Sequence, residues 1–121
     1  MKQLLLVFVG GGIGSTARYF VSKLLNNSQV LPLGTMLVNV VGSFLIGAIL
    51  GYAIKQPTQQ NLVLLLATGF CGGFTTFSTF AYENQLLLKS GDYTSFLFYT
   101  FGSVIAGLIA VFLGILLVKY L

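Results

Sequence analysis

The twelve residues Gly69-Phe-Cys-Gly-Gly-Phe-Thr-Thr-Phe-Ser-Thr-Phe80 set the strongest condition on how this chain folds. They lie in an apolar region suited to the middle of a membrane, yet they carry three glycines and four hydroxyls. Gly69, Gly72 and Gly73 weaken a helix, and the hydroxyls of Thr75, Thr76, Ser78 and Thr79 can cap a new one. A helix interrupted at membrane depth is tolerated only where its freed backbone groups are buried in protein or line a cavity. The stretch therefore predicts a break in mid-membrane with a solute or ion site beside it.

A membrane setting follows from the balance of residues. Of 121 residues, 56% are hydrophobic and 7% charged, against about 25% charged in a soluble domain. Each helical span takes roughly 20 apolar residues. The chain thus reads as an all-α membrane protein with one domain over 1–121 and four spans, at about 3–25, 34–53, 61–88 and 93–119. Its six cations and two acids give a net charge of +4. The cations stand singly, which argues against nucleic acid as a partner. The lone Cys71 excludes an intrachain disulfide, and the lack of histidine speaks against a transition-metal site. The usual catalytic constellations have almost no members, so neither an enzyme nor a protein substrate is expected. At the N-terminus, Lys2 and the run Leu4 to Val9 imitate a signal peptide. That run is shorter than an h-region of about 7–15 residues, so an uncleaved first span is expected.

Span one carries Gly10 and Gly14 in the spacing that lets helix backbones approach. Two readings of Arg18 stand: it snorkels with Lys23 to an interface, or it faces a watery vestibule or a polar partner. Residues 26–33 form the first loop. In span two, Thr35, Asn39, Ser43, Gly47 and Gly51 recur every fourth residue and share one slowly drifting face. A lone membrane Asn is often interhelical glue, but Asn39 between Thr35 and Ser43 reads as a lining of donors. After a second loop at 55–60, span three carries the break, with Glu83 beyond it and Lys89-Ser-Gly-Asp92 at its end. In span four, Tyr99, Ser103 and Gly107 repeat the polar-to-small spacing, either as a packing seam or as a pathway.

Orientation follows the Lys/Arg bias of the flanking segments. Four spans put Lys2, Lys55 and Lys119 on one side, and Lys23 and Lys89, with Arg18 just inside, on the other. So even a tally predicts insertion both ways, and an antiparallel, dual-topology homodimer with a two-fold axis in the membrane plane. Such a pair resembles the inverted-repeat plan of transporters, whose site lies near the midplane.

The break supplies unpaired carbonyls before it, near Gly69, and unpaired amides after it, near Thr75 or Thr76. No carboxylate precedes Glu83, so a cation pathway lacks its usual acidic groups. Asn, Thr, Ser and Tyr side chains can all donate. Phe77 and Phe80 share a face, and the positive edges of their rings can contact a small anion. Ordinary core packing is the plainer reading of such a pair. Together with Asn39, the hydroxyls and the break, it favours an anion pathway.

The stretch 69–80 resembles the signature of the Fluc (CrcB-type) fluoride channels. Gly10-Gly-Gly-Ile-Gly-Ser-Thr-Ala-Arg-Tyr19 and Gly34-Thr-Met-Leu-Val-Asn-Val-Val-Gly-Ser43 are similar to that family's other two motifs. The resemblance implies a dual-topology homodimer in the cell membrane, with two antiparallel pores that passively export fluoride. It implies that Asn39 lines the pore and that Phe77 and Phe80 turn ring edges to the ion. It places a structural Na⁺ at the dimer centre, on backbone carbonyls of Gly72 and Thr75. Tyr99 and Ser103 extend the polar track, with Thr76, Thr79 and Glu83 nearby, Arg18 at the vestibule, and Thr35 among the outer polar groups. Where related channels can carry a further serine, this chain has Gly107.

Two rivals differ in class. A small dual-topology multidrug or cation exporter has similar size, but coupled proton exchange there needs a carboxylate in the first span, and this chain has none. An accessory subunit of a larger complex would explain the packing glycines but not the clustered donors.

Overall fold

The computed structural model describes residues 1–26 and 31–121; residues 27–30, part of the expected first loop, lie outside the described residues. Regular structure among the described residues is entirely helical. It comprises α1 (Lys2–Leu25), α2 (Leu33–Lys55) and α3 (Gln60–Val63), which runs into a π-helical segment (Leu64–Cys71). There follow α4 (Gly72–Phe74), α5 (Phe77–Ser90) and α6 (Tyr93–Lys119). Four lengths are long and apolar enough to cross a membrane: Lys2–Leu25, Leu33–Lys55, Gln60–Ser90 and Tyr93–Lys119. At about 1.5 Å per residue, each exceeds the roughly 30 Å hydrocarbon core. The chain is a multi-pass, all-helical membrane protein.

The third length is not one helix. After Phe74 the backbone turns extended at Thr75 (φ −93°, ψ 157°) and Thr76 (φ −151°, ψ 121°), and helix resumes at Phe77. The sequence pointed to Gly69 as the end of the first half, and this is corrected: Gly69, Gly72 and Gly73 all remain helical. Gly69 and Gly73 lie against α1. A Cβ on Gly73 would overlap the Gly11 carbonyl, and one on Gly69 would stand 3.0 Å from the Gly10 Cα. From the facing side, a Cβ on Gly10 or Gly14 would overlap the carbonyl of Leu65 or Phe70. These glycines bring two backbones together. The helix beside them is overwide, with the Gly72 amide reaching back to Ala67, five residues away, as in a π turn.

Threonines end the turn. Both the amide and the hydroxyl of Thr75 donate to the Cys71 carbonyl, at 3.0 and 2.8 Å. Thr76 is then the N-cap of α5, its hydroxyl accepting from the Thr79 amide at 3.2 Å. At the far end, Gly91 caps α5 in the left-handed conformation (φ 80°), where a glycine avoids the Cβ penalty. Asp92 then caps α6 by accepting from the Ser95 amide.

The four-residue stripe of α2 changes partners along its length. Thr35 and Asn39 bond to α5 and to the extended break. Gly47 and Gly51 meet α6, a Cβ on Gly47 overlapping the Val111 carbonyl. The drift follows from 3.6 residues per turn: a fixed step of four rotates round the helix. Lys55 closes the same end of the molecule as the C-terminus by donating to the Val118 and Lys119 carbonyls, a favourable charge at a helix C-terminus. Large apolar side chains elsewhere stay bare, among them Phe8, Phe98 and Leu108, as suits a surface turned to lipid or to another chain.

Candidate ion-binding site

The break creates polar backbone that must be satisfied, and Asn39 does much of this. Its side-chain oxygen accepts from the Thr76 amide at 2.8 Å, and its side-chain nitrogen donates to the Thr76 carbonyl at 3.1 Å. A carboxamide has the same donor and acceptor pair as a peptide group, so Asn39 replaces a lost turn of helix. An amide carries two N–H donors, and one of them remains beyond this pair. The Thr76 amide would otherwise serve the carbonyl four residues back, on Gly72. That carbonyl is thus left without its helical partner.

Around this pair lies an open recess of about 250 Å³, lined by Asn39, Gly42, Ser43, Ile46, Cys71, Thr75, Thr76, Phe77 and Phe80. The two rings lie 5.9 Å apart and are tilted by 46°. Phe77 is 79% exposed on the single chain. Phe80 stacks on Tyr99 at 5.1 Å. The Tyr99 hydroxyl in turn donates to one Glu83 oxygen at 2.8 Å, while Thr35 donates to the other at 2.6 Å. Thr35 and Tyr99 are almost wholly buried.

Most of the residues picked out from the sequence fall into three groups. Asn39, Thr75, Thr76, Phe77 and Phe80 line one recess. Tyr99, Glu83 and Thr35 form a hydrogen-bonded chain behind Phe80. Thr76 also donates its hydroxyl to that of Thr79, at 3.2 Å, and accepts from the Thr79 amide in the α5 cap; Thr79 itself is not among the residues that line the recess. Ser103 is different: its hydroxyl is buried with no hydrogen-bond partner. One turn on, Gly107 faces Ser43, whose hydroxyl would lie 3.5 Å from a Cβ placed there.

Arg18 has a polar partner in the structure. Its Nε donates to the Gly73 carbonyl at 2.9 Å, one residue from Gly72 and at the C-terminal end of the first half-helix, where a cation is favoured. Gly72 itself is exposed, with open space where a side chain would be. Among the described residues no cluster of three His, Cys, Asp or Glu side chains exists.

Two features escaped the sequence reading. Asn84 is buried, donates to the Phe80 carbonyl and accepts from Thr100 on α6. Its spacing of four from Phe80 and seven from Phe77 was a usable signal, since all three share a helix face. Asn26, at the end of α1, bonds to both Gly34 and Thr35. Nothing in its loop-like neighbourhood pointed to that.

The profile of the family described as CrcB-like protein, Camphor Resistance (CrcB), matches residues 5–115. A relative from Gloeothece citriformis, named fluoride-specific ion channel FluC, is 50% identical over 121 residues, covering 98% of each chain. Proteins of the same name from Ignicoccus hospitalis and Pyrococcus furiosus are 49% and 41% identical. The first covers 94% of this chain and 93% of its own length, and the second 98% of both. The match runs through all four spans and includes the recess and the carboxamide that completes its broken helix: the chain belongs to the CrcB-like family.

Proposed function

We propose that this protein is a fluoride channel of the cell membrane that exports the ion passively and performs no enzymatic reaction. The observation that carries the reading is the recess at the break. There a carboxamide, freed backbone and two phenylalanines meet with no carboxylate among the lining residues. The relatives' shared name supplies fluoride as the particular ion. A small anion losing water needs donors, and the remaining Asn39 N–H and the positive edges of Phe77 and Phe80 are of that kind. Ser103, buried without a partner, is a further donor on α6.

The working form in this proposal is an antiparallel homodimer with two pores and the break at mid-membrane. Support comes from the even charge tally, the bare apolar surface and the exposure of Phe77. A structural Na⁺ is proposed between the two copies on the Gly72 and Thr75 carbonyls. Gly72 has lost its helical partner and faces open space, and Thr75 is extended, which turns its carbonyl out of the helical ladder. Arg18 on the neighbouring Gly73 carbonyl keeps that oxygen out of the set. An exporter coupled to protons is disfavoured because α1 holds no acid.

The test is fluoride efflux from liposomes that contain only the purified chain. Electrogenic efflux with chloride excluded is expected. No efflux, or equal passage of chloride, overturns the reading.

A further inference from the structure

Behind Phe80 runs a chain of side-chain hydrogen bonds whose direction is dictated from one end. Asn26 begins it. Its side-chain oxygen accepts from the Gly34 amide at 2.7 Å, one of the amides that the first turn of α2 leaves unpaired. Since a backbone amide only donates, the carboxamide cannot be turned over, and its nitrogen must face Thr35. That nitrogen donates to the Thr35 hydroxyl at 3.3 Å. Thr35, having accepted, sends its own proton on to Glu83 at 2.6 Å. The other Glu83 oxygen receives the Tyr99 hydroxyl at 2.8 Å, and Tyr99 carries the ring on which Phe80 stacks.

The approach of Asn26 is built into the fold. A Cβ on Gly34 would lie 2.8 Å from the Asn26 oxygen and 2.9 Å from the Ser22 Cα, so glycine is what lets the end of α1 come this close. Thr35 is fully buried, and with Asn26 donating to its oxygen its own proton goes to Glu83. Two acids at this end, Glu83 and Asp92, share a recess of about 440 Å³ with Asn26, and Lys23 and Lys89 stand in the last turns of α1 and α5 nearby. Asp92 is occupied in capping α6.

We propose that Asn26 is a positioning residue for the anion route. Committed to Gly34 on its oxygen, it presents a donor to Thr35, which turns the Thr35 proton away from α1 and toward Glu83 and so helps keep the Glu83–Tyr99–Phe80 assembly in one arrangement. The role rests on the route proposed above. Without Asn26, the Thr35 hydroxyl loses the donor that holds its direction. Glu83 then loses one of its two donors, and the Tyr99 ring under Phe80 is held less firmly.

The nearly isosteric Asn26→Asp still caps Gly34 but presents an acceptor, together with a carboxylate charge, to Thr35, which reverses that link; the double variant with Thr35→Val separates the link from the charge. Glu83 is the only glutamate in the chain, so labelling glutamate isotopically gives an infrared carboxylate band from a single site. In the full chain, in lipid, Asn26→Asp is expected to shift that band and to lower fluoride flux roughly tenfold. Thr35→Val is expected to shift the band likewise, and adding Asn26→Asp to it to change little more, because the two act through one link. Thr35→Ser, which keeps the hydroxyl, is expected to keep the band near its wild-type position. Asn26→Ala, which removes both bonds, broadens the band. A band that stays unchanged in Asn26→Asp and Asn26→Ala overturns the proposal, as do flux losses that multiply in the double variant. If the wild-type chain passes no fluoride, the anion route fails, while the infrared comparison still decides whether Asn26 orders the chain.

Discussion

Asn39 and Thr76 exchange two hydrogen bonds, and the consequences of losing them differ by atom. Asn39→Ala leaves an amide and a carbonyl of the break unpaired, at about 1–3 kcal/mol for each buried group. A lower melting temperature of the purified protein is therefore expected together with lost fluoride flux. Asn39→Asp keeps the acceptor for the Thr76 amide but removes the donor, so it should fold better than the alanine variant while conducting no better. Phe80→Leu leaves the backbone of the break intact and removes the ring edge. Flux should fall while gel filtration still reports the assembled protein, and unchanged flux would remove Phe80 from the route. Ser103 poses the opposite case. Its hydroxyl has no protein partner, so Ser103→Ala should cost no stability; any loss of flux then reports contact with the ion or its water.

At the scale of helices, the close approach of α1 to the π-helical segment leaves no room for substitution. A side chain on Gly14 has no free direction, because its Cβ would overlap the Phe70 carbonyl and stand 2.9 Å from the Phe74 amide. Overpacking typically costs about 1–3 kcal/mol where side chains can yield, and backbone yields less. Gly14→Val should therefore abolish recovery of folded protein, whereas Gly12→Val, which meets nothing within 4 Å in the chain, should be tolerated in a thermal-melt comparison of the two. The same contact explains why the break falls where it does. Glycines at 69 and 73 are spent on packing, so ending the helix passes to Thr75 and Thr76, whose side chains and Asn39 replace the hydrogen bonds that a break forfeits.

For the whole molecule, the near-even distribution of cations is itself a testable property. Adding Lys at Gln56 and Gln59 in the second loop should bias insertion to one orientation. Activity should then fall, and should return when a copy with the opposite bias is co-expressed; full activity of the biased chain alone would refute the antiparallel dimer. The proposed Na⁺ is tested by preparing the protein with a large organic cation in place of sodium throughout. Reduced fluoride flux is expected, and insensitivity would count against a central cation on the Gly72 and Thr75 carbonyls.

Much of this architecture could be read from residues in a row. Apolar length and scarce charge determine a four-span helical membrane protein, since so few polar groups leave no other way to satisfy the backbone in lipid. The step of four from Thr35 to Gly51 announced a contact face, and the hydroxyls at 75–79 announced a new helix start, because capping and helical periodicity are local. What lay beyond reach was pairing between segments. Whether glycine at 69 breaks a helix or admits another backbone depends on α1, which lies nearly sixty residues away in the chain. That Arg18 binds the Gly73 carbonyl, that Asn39 closes on Thr76, and that Asn26 steers Thr35 toward Glu83 are all decided by helix packing. The sequence by itself determined which groups are available; the tertiary structure decided which of them meet, because a hydrogen bond depends on distance in space and not on separation along the chain.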